Sequence, residues 1–260
     1  MYVARHAHPR DVLSYEADPL AVCVTLPEKT NLPLAALGFV VGGRLPESVS
    51  LRGKRYDLCI LYKDLTDRYD FSVKRSYAKP GLYPSVDVQK AKSPKLKVRG
   101  YRPEDQLKLE KFAIHPNVIR RVGLLFAGLS PWPAGSGPPY QEMVNSGRSY
   151  PLVCEDETTG EPIGVLWLFA SSQDVMQHVM ELGMGVKPEY QGIGVGTMLM
   201  ENMKTLAKRL HLTRVNLTVF EDNVPAQHLY RKTGFVECGK IPGWLQERYV
   251  SETYMTLKLK

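Results

Sequence analysis

Apolar positions along this chain fall into two regimes. In the N-terminal third they come as short runs, Ala21 to Leu26, Leu34 to Val41, Asp57 to Tyr62 and Tyr69 to Val73, divided by turn-formers such as Gly42-Gly43, Pro46 and Gly53. That pattern predicts a small β-rich module over residues 1–78. Residues 79–95, KPGLYPSVDVQKAKSPK, are rich in Pro, Lys and small residues and read as a connector. From Leu96 onward, runs with the strand period begin to alternate with runs that have the helix period.

Over residues 96–260 the order of elements is strand, two helices, three strands, helix, strand, helix, two strands. Leu96 to Tyr101 is the first strand. Pro103-Glu104-Asp105 starts a helix carrying Leu107, Leu109 and Phe112, and a second helix is expected over Asn117 to Leu129. The proline-rich stretch Ser130 to Pro139 breaks regular structure, as a substrate wall or lid would. Tyr150 to Cys154 and Pro162 to Phe169 read as strands around a turn at residues 157–160, the second apolar enough to be central. Arg214 to Phe220 is another strand. Asn223 is placed to cap a helix with Pro225 in its first turn and Gly234 at its end, and Phe235 to Gly239 and Thr253 to Leu259 close the chain.

The stretch from Met180 to Leu210 organises the rest. Met180 to Val186 reads as a strand carrying a bulge, ended by Pro188. Gln191-Gly192-Ile193-Gly194-Val195-Gly196 is a tight glycine turn, and Leu199, Met203, Leu206 and Leu210 then mark one face of a helix. A glycine turn opening into a helix presents backbone N–H groups and the positive end of the helix dipole, which suits a pyrophosphate. The dinucleotide fingerprint fails here because its sixth position falls on Thr197, and no Gly-Lys-Ser/Thr follows for a Walker loop.

Composition narrows the picture modestly. Hydrophobic content of 43% and charged content of 23% are ordinary for a globular protein, and no apolar run reaches membrane-spanning length. The N-terminus lacks the pattern of a secretory signal, so the expected compartment is the cytoplasm. Cys23, Cys59, Cys154 and Cys238 are too dispersed for a zinc site or a disulfide framework and are expected to be reduced and buried; no metal is expected. Of the net charge of +7, residues 1–95 carry +5, from 15 Lys/Arg against 10 Asp/Glu. That excess permits an acidic partner, but without a recognisable binding fold nucleic acid is not the expected one.

The spacing Gln-x-x-Gly-x-Gly at Gln191, Gly194 and Gly196 resembles the pyrophosphate loop of the acetyl-CoA-dependent GNAT N-acetyltransferase superfamily. The segment VFEDNVPAQHLYRKTGF is similar to a second family region, through Asn223, Ala226, Leu229, Tyr230, Lys232, Gly234 and Phe235. Two motifs in the right order, about 30 residues apart, are far more specific than either alone. The resemblance covers residues 96–260 as one N-acetyltransferase domain and leaves residues 1–95 without a role. It implies an α/β fold with a mixed, mostly antiparallel sheet, a splayed central strand pair and flanking helices, preceded by the β-rich module.

The resemblance also implies site residues. Backbone groups of Met184, Gly185 and Val186 would meet the pantetheine arm of acetyl-CoA. Gln191, Gly192, Ile193, Gly194, Val195, Gly196 and Thr197 would wrap its pyrophosphate, with Asn223 as a further cofactor contact. Tyr230 matches the position whose hydroxyl faces the CoA sulfur and is the candidate acid. Glu181 is the candidate base, with His178 and His228 as alternatives of suitable intrinsic pKa. The expected reaction is direct acetyl transfer to a primary amine of a small molecule or protein, and a homodimer is compatible with it. The alternatives are an acetyl-CoA-binding sensor without turnover, or a protein docked to a macromolecule through its basic N-terminal module.

Overall fold

In a computed structural model, residues 2–3, 20–25, 31–64, 94–113, 144–170, 174–241, 244–245, 248–249 and 251–259 are described. The strands are β1 (Tyr2–Val3), β2 (Leu20–Thr25), β3 (Val40–Leu51), β4 (Lys54–Asp64), β5 (Leu96–Gly100), β6 (Ser149–Asp156) and β7 (Glu161–Ala170). Then follow β8 (Val179–Val186), β9 (Arg214–Phe220), β10 (Val236–Ile241), β11 (Trp244–Leu245), β12 (Arg248–Tyr249) and β13 (Glu252–Lys258). The helices are α1 (Asn31–Ala36), α2 (Gln106–Ala113), α3 (Val195–Arg209) and α4 (Val224–Lys232). The expected strand Tyr69 to Val73, the helix Asn117 to Leu129, the Ser130 to Pro139 loop and nearly all of the connector lie outside the described residues.

One 11-stranded sheet has the order β1-β2-β4-β3-β10-β13-β9-β8-β7-β6-β5. Every neighbouring pair is antiparallel except β8 and β9, which run parallel. Alternation along the central strands assigns their faces. Met180, Leu182, Val215, Leu217, Met255 and Leu257 pack with Leu199, Met200 and Met203 of α3 and with Tyr230 and Phe235 around α4. The opposite face is apolar where α2 covers it, with Leu109 against Val153, Val165 and Trp167. Between α2 and β10, that face turns polar.

The N-terminal strands continue this sheet, with β3 joined to β10 at Gly43↔Gly239. The join needs both glycines: a Cβ on Gly43 would lie 2.5 Å from the Gly239 Cα, and one on Gly239 would lie 2.4 Å from the Gly43 Cα. Gly42, Gly43 and Pro46, read from sequence as turn-formers, are therefore strand residues. Pro46 falls within the register shift between Leu45 and Val49, where a missing N–H does little harm. The expected strand Leu34 to Val41 is corrected: Asn31–Ala36 is helical, and the strand begins only at Val40. Leu34, Ala35 and Ala36 are strong helix formers behind Pro33 in the first turn, whereas the β-branched pair Val40-Val41 favours a strand.

Candidate active site

The site begins where two strands part. β8 and β9 pair at Val179↔Arg214, Met180↔Val215 and Glu181↔Asn216, and there the pairing stops. Yet β8 continues to Val186 and β9 to Phe220. The edge of β8 that faces β9 therefore has no strand partner beyond Glu181. Met184, Gly185 and Val186 lie on this open edge, held from the other side by Leu166, Val165 and Gly164 of β7. An extended chain of amides could add there as a strand would. The expected bulge in β8 is not found: its register against β7 is unbroken. Gly183 sits opposite Trp167 in that register.

The glycine loop follows a 3₁₀ turn at Pro188–Tyr190. The Gln191 side chain folds back, its Nε2 donating to the Val186 carbonyl at 3.0 Å, and so ties the loop to the end of β8. Gly192 and Gly194 take φ of 81° and 100°, left-handed values that favour glycine. Gly194 is the N-cap of α3, makes no side-chain cap and has open space where a Cβ would stand. The amides of Val195, Gly196 and Thr197 have no acceptor within the helix, and no acidic residue occupies its first turn. This cradle fits a phosphate group. Gly196 serves a different end: a Cβ there would meet Leu229 Cδ2 at 2.7 Å, so its hydrogen allows α3 to close on α4. Ile193 and Val195 anchor the loop in the core.

α4 carries the second motif. Tyr230 is 6% exposed, and its ring lies 5.9 Å from that of Phe235. Burial pushes its phenol up to about 12, so it stays protonated through neutral pH. The hydroxyl has no hydrogen-bond partner among the described residues. Asn223 stands at the N-cap position, but its side chain makes no capping bond, which corrects the expected cap. Gln227 does the nearby work, its Nε2 donating to the carbonyls of Phe220 and Glu221 at 3.0 and 2.8 Å. The Asn223 side chain is left half-exposed beside the motif. Pro225 is in the first turn, and Gly234 ends the helix with φ 100°, both as the sequence predicts.

Glu181 stands at the fork. Loss of solvent raises its carboxyl to about 7, and the negative charge of Glu252 adds to the rise. Asn216, its cross-strand neighbour, opposes that shift. Among the described residues the Asn216 amide is nevertheless not in good hydrogen-bond geometry with any group, and neither its Nδ2 nor its Oδ1 has a partner. Next to Asn216 across the sheet is Thr256, also fully buried, with an unpartnered Oγ1; Thr218 Oγ1 on the same face is another. Sequence reading missed these three residues. Their signal is the alternation of Arg214, Asn216 and Thr218 with Val215, Leu217 and Val219, polar side chains at every second position of a buried strand.

The alternative bases have other settings. His178 Nε2 lies 2.9 Å from the Glu47 carbonyl, a structural contact, and His228 is exposed on α4. Cys59 and Cys154 are buried free thiols and Cys238 a half-buried one. Among the described residues no group of His, Cys, Asp and Glu could hold a metal ion. No described helix is long and apolar enough to cross a membrane.

Comparison with known proteins agrees with this geometry. Residues 123–235 match the family model of the acetyltransferase (GNAT) family. A Bacillus subtilis protein named for alanine N-acetylation of ribosomal protein bS18 is 28% identical over 123 residues, 47% of this chain and 73% of that protein. The L-amino acid N-acetyltransferase AaaT of Escherichia coli is 33% identical over 99 residues, 37% of this chain and 61% of the relative. A GNAT-family acetyltransferase from Streptococcus pneumoniae superposes with a TM-score of 0.53 at 23% identity, covering 64% of this chain and 100% of the other. YncA of Salmonella typhimurium, solved with acetyl-CoA, gives 0.52 at 19% identity over 64% and 94%. The structural likenesses show the shared fold.

Proposed function

We propose that this chain is an acetyl-CoA-dependent N-acetyltransferase of the GNAT type, a reading supported by its match to that family over residues 123–235 and by its N-acetyltransferase relatives, and that it acetylates a primary amine with Glu181 as the general base. The observation that carries this reading is the position of Glu181. A carboxyl with pKa about 7 sits where β8 and β9 separate, on the face away from α3 and α4. Such a group is about half ionised at neutral pH, strong enough to take a proton from an ammonium and weak enough to release it. The catalytic domain in this reading is residues 96–260, which hold both motifs.

Acetyl-CoA, when bound, supplies the activated acetyl thioester. The open edge at Met184, Gly185 and Val186 would hold its pantetheine amides, and the loop from Gln191 to Thr197 its pyrophosphate, with Asn223 nearby. Glu181 accepts the proton that the acceptor ammonium must lose before its nitrogen can attack. Tyr230 supports the departing sulfur. A phenol at about 12 is a poor acid toward a thiolate whose own pKa is roughly 8.5, so its part is a hydrogen bond to the developing charge rather than early proton transfer.

The test is release of CoA thiol with a panel of primary amines, combined with mass spectrometry of the products. The reading expects an acetylated amine. Tight acetyl-CoA binding with no product from any amine would favour the sensor reading instead.

A further inference from the structure

The β3–β4 hairpin lies outside the family match, and it crosses the polar face of the sheet beside Glu181. It is attached on both sides of that face. On one side Leu45 and Ile60 pack with Ile241 and Tyr254, with Cys238 at their margin. On the other, Glu47 reaches Arg214, its Oε2 accepting from Nη2 at 2.6 Å, and lies 3.9 Å from Lys258 Nζ. The Glu47 carbonyl meets His178, and its N–H donates to Asp57 Oδ1 at 2.9 Å. Arg55, next to the hairpin turn, donates to Thr213 Oγ1 at 2.7 Å. Glu47 makes these contacts from a left-handed backbone, φ 48°, an unusual conformation for a residue with a Cβ.

The two attachments bracket the row Glu181, Asn216, Thr256. On β13, Tyr254 and Lys258 both touch the hairpin, and Thr256 lies between them on the same face. On β9, Arg214 is bound to the hairpin, and Asn216 is the next residue on that face. Asn216 and Thr256 are 0% and 1% exposed, yet the amide and the hydroxyl have no partner among the described residues. A buried polar group left unsatisfied is costly, and a native fold keeps it where water or a ligand completes the bond. Three such groups, Asn216, Thr218 and Thr256, share one face beside a carboxyl that can take a proton.

We propose that the β3–β4 hairpin and the Glu181–Asn216–Thr256 row together form the acceptor subsite, the hairpin as its roof and the row as its floor. A floor of amide, hydroxyl and carboxyl recognises a small primary amine with a second hydrogen-bonding group close to the nitrogen. A roof held at both ends favours such a compact molecule over a peptide terminus. This rests on the acetyltransferase reading for its chemistry, but the binding it requires can be measured without turnover. Glu47 is a positioning residue here, acting through Arg214 and the hairpin.

The experiment uses the full chain saturated with CoA. Hydroxyl- and amide-bearing small primary amines, and a short peptide with a free N-terminus, are titrated in and the shift in melting temperature is followed. Thr256→Val keeps the side-chain shape and removes only the unpartnered hydroxyl, so it should melt at the same temperature or higher without amine. The expected result is an amine that stabilises the wild type and binds about tenfold more weakly to Thr256→Val, with CoA affinity unchanged. Glu47→Ala should weaken the same amine and raise its KM more than it lowers kcat, and Glu47→Asp should recover part of the loss. Absence of product in the wild type, with amine binding still dependent on Thr256, would overturn the acetyltransferase reading and leave the subsite standing. Wild-type amine affinity in both Thr256→Val and Glu47→Ala, stabilisation by the peptide alone, or stabilisation by no amine at all would overturn the subsite.

Discussion

Because Glu181 owes its raised pKa chiefly to lost solvation, the same environment that makes it a base also makes it a burden on the fold. The sign follows from linkage. Below the unfolded value of 4.5 the group is protonated in both states and costs nothing. As pH rises from 4.5 toward 7 the unfolded chain ionises first, so stability falls, and above about 7 the loss is complete. Glu181→Gln removes the charge and keeps the shape. It should be more stable than wild type by on the order of 1–3 kcal/mol at pH 8 and equal to it near pH 4.5, as measured by denaturant melts at the two pH values. Tyr230→Phe should leave thermal stability almost unchanged, because the hydroxyl makes no bond among the described residues. Its single-turnover rate should fall by roughly 10²–10³-fold, the range for losing one donor to developing charge. An unchanged rate with a lower melting temperature would make Tyr230 a core residue only.

At the scale of elements, the loop between β8 and α3 separates two uses of glycine. Gly194→Asp sets a side chain and a negative charge in the open cradle at a left-handed φ, and calorimetry should show acetyl-CoA affinity lowered by at least tenfold. Gly196→Ala acts on packing, since its Cβ would press on the end of the flexible Leu229 side chain at 2.7 Å. It should cost on the order of 1 kcal/mol of stability while changing acetyl-CoA affinity much less. The loop, the helix after it and the second motif were legible in the sequence because glycine spacing and a 3.6-residue period are local signals. The parting of β8 from β9 was not legible from the residues, because two strands diverge through their neighbours and not through a residue type. The glycines of Met180 to Val186 suggest a bulge, yet the strand they belong to keeps an unbroken register against β7.

Across the whole molecule, the N-terminal strands extend the sheet that carries the candidate site, through Gly43 and Gly239. The sequence shows these strands as a β-rich module, but the join depends on two glycines almost 200 residues apart, and no single-sequence pattern links them. Polar residues Asn216 and Thr256 look like ordinary strand positions until the fold sets them side by side on neighbouring strands. Glu181, by contrast, could be singled out because its place at a strand start matched the family. The central claim is that this carboxyl removes the proton from the acceptor amine. It is tested most directly by the single-turnover rate of acetyl transfer against pH, for wild type and Glu181→Gln, with any amine that the wild type acetylates. The wild-type rate should rise with pH through a limb near 7, and the Glu181→Gln rate should be lower by roughly 10²–10⁴-fold with that limb gone. A Glu181→Gln protein that keeps both the wild-type rate and the wild-type limb would contradict the account.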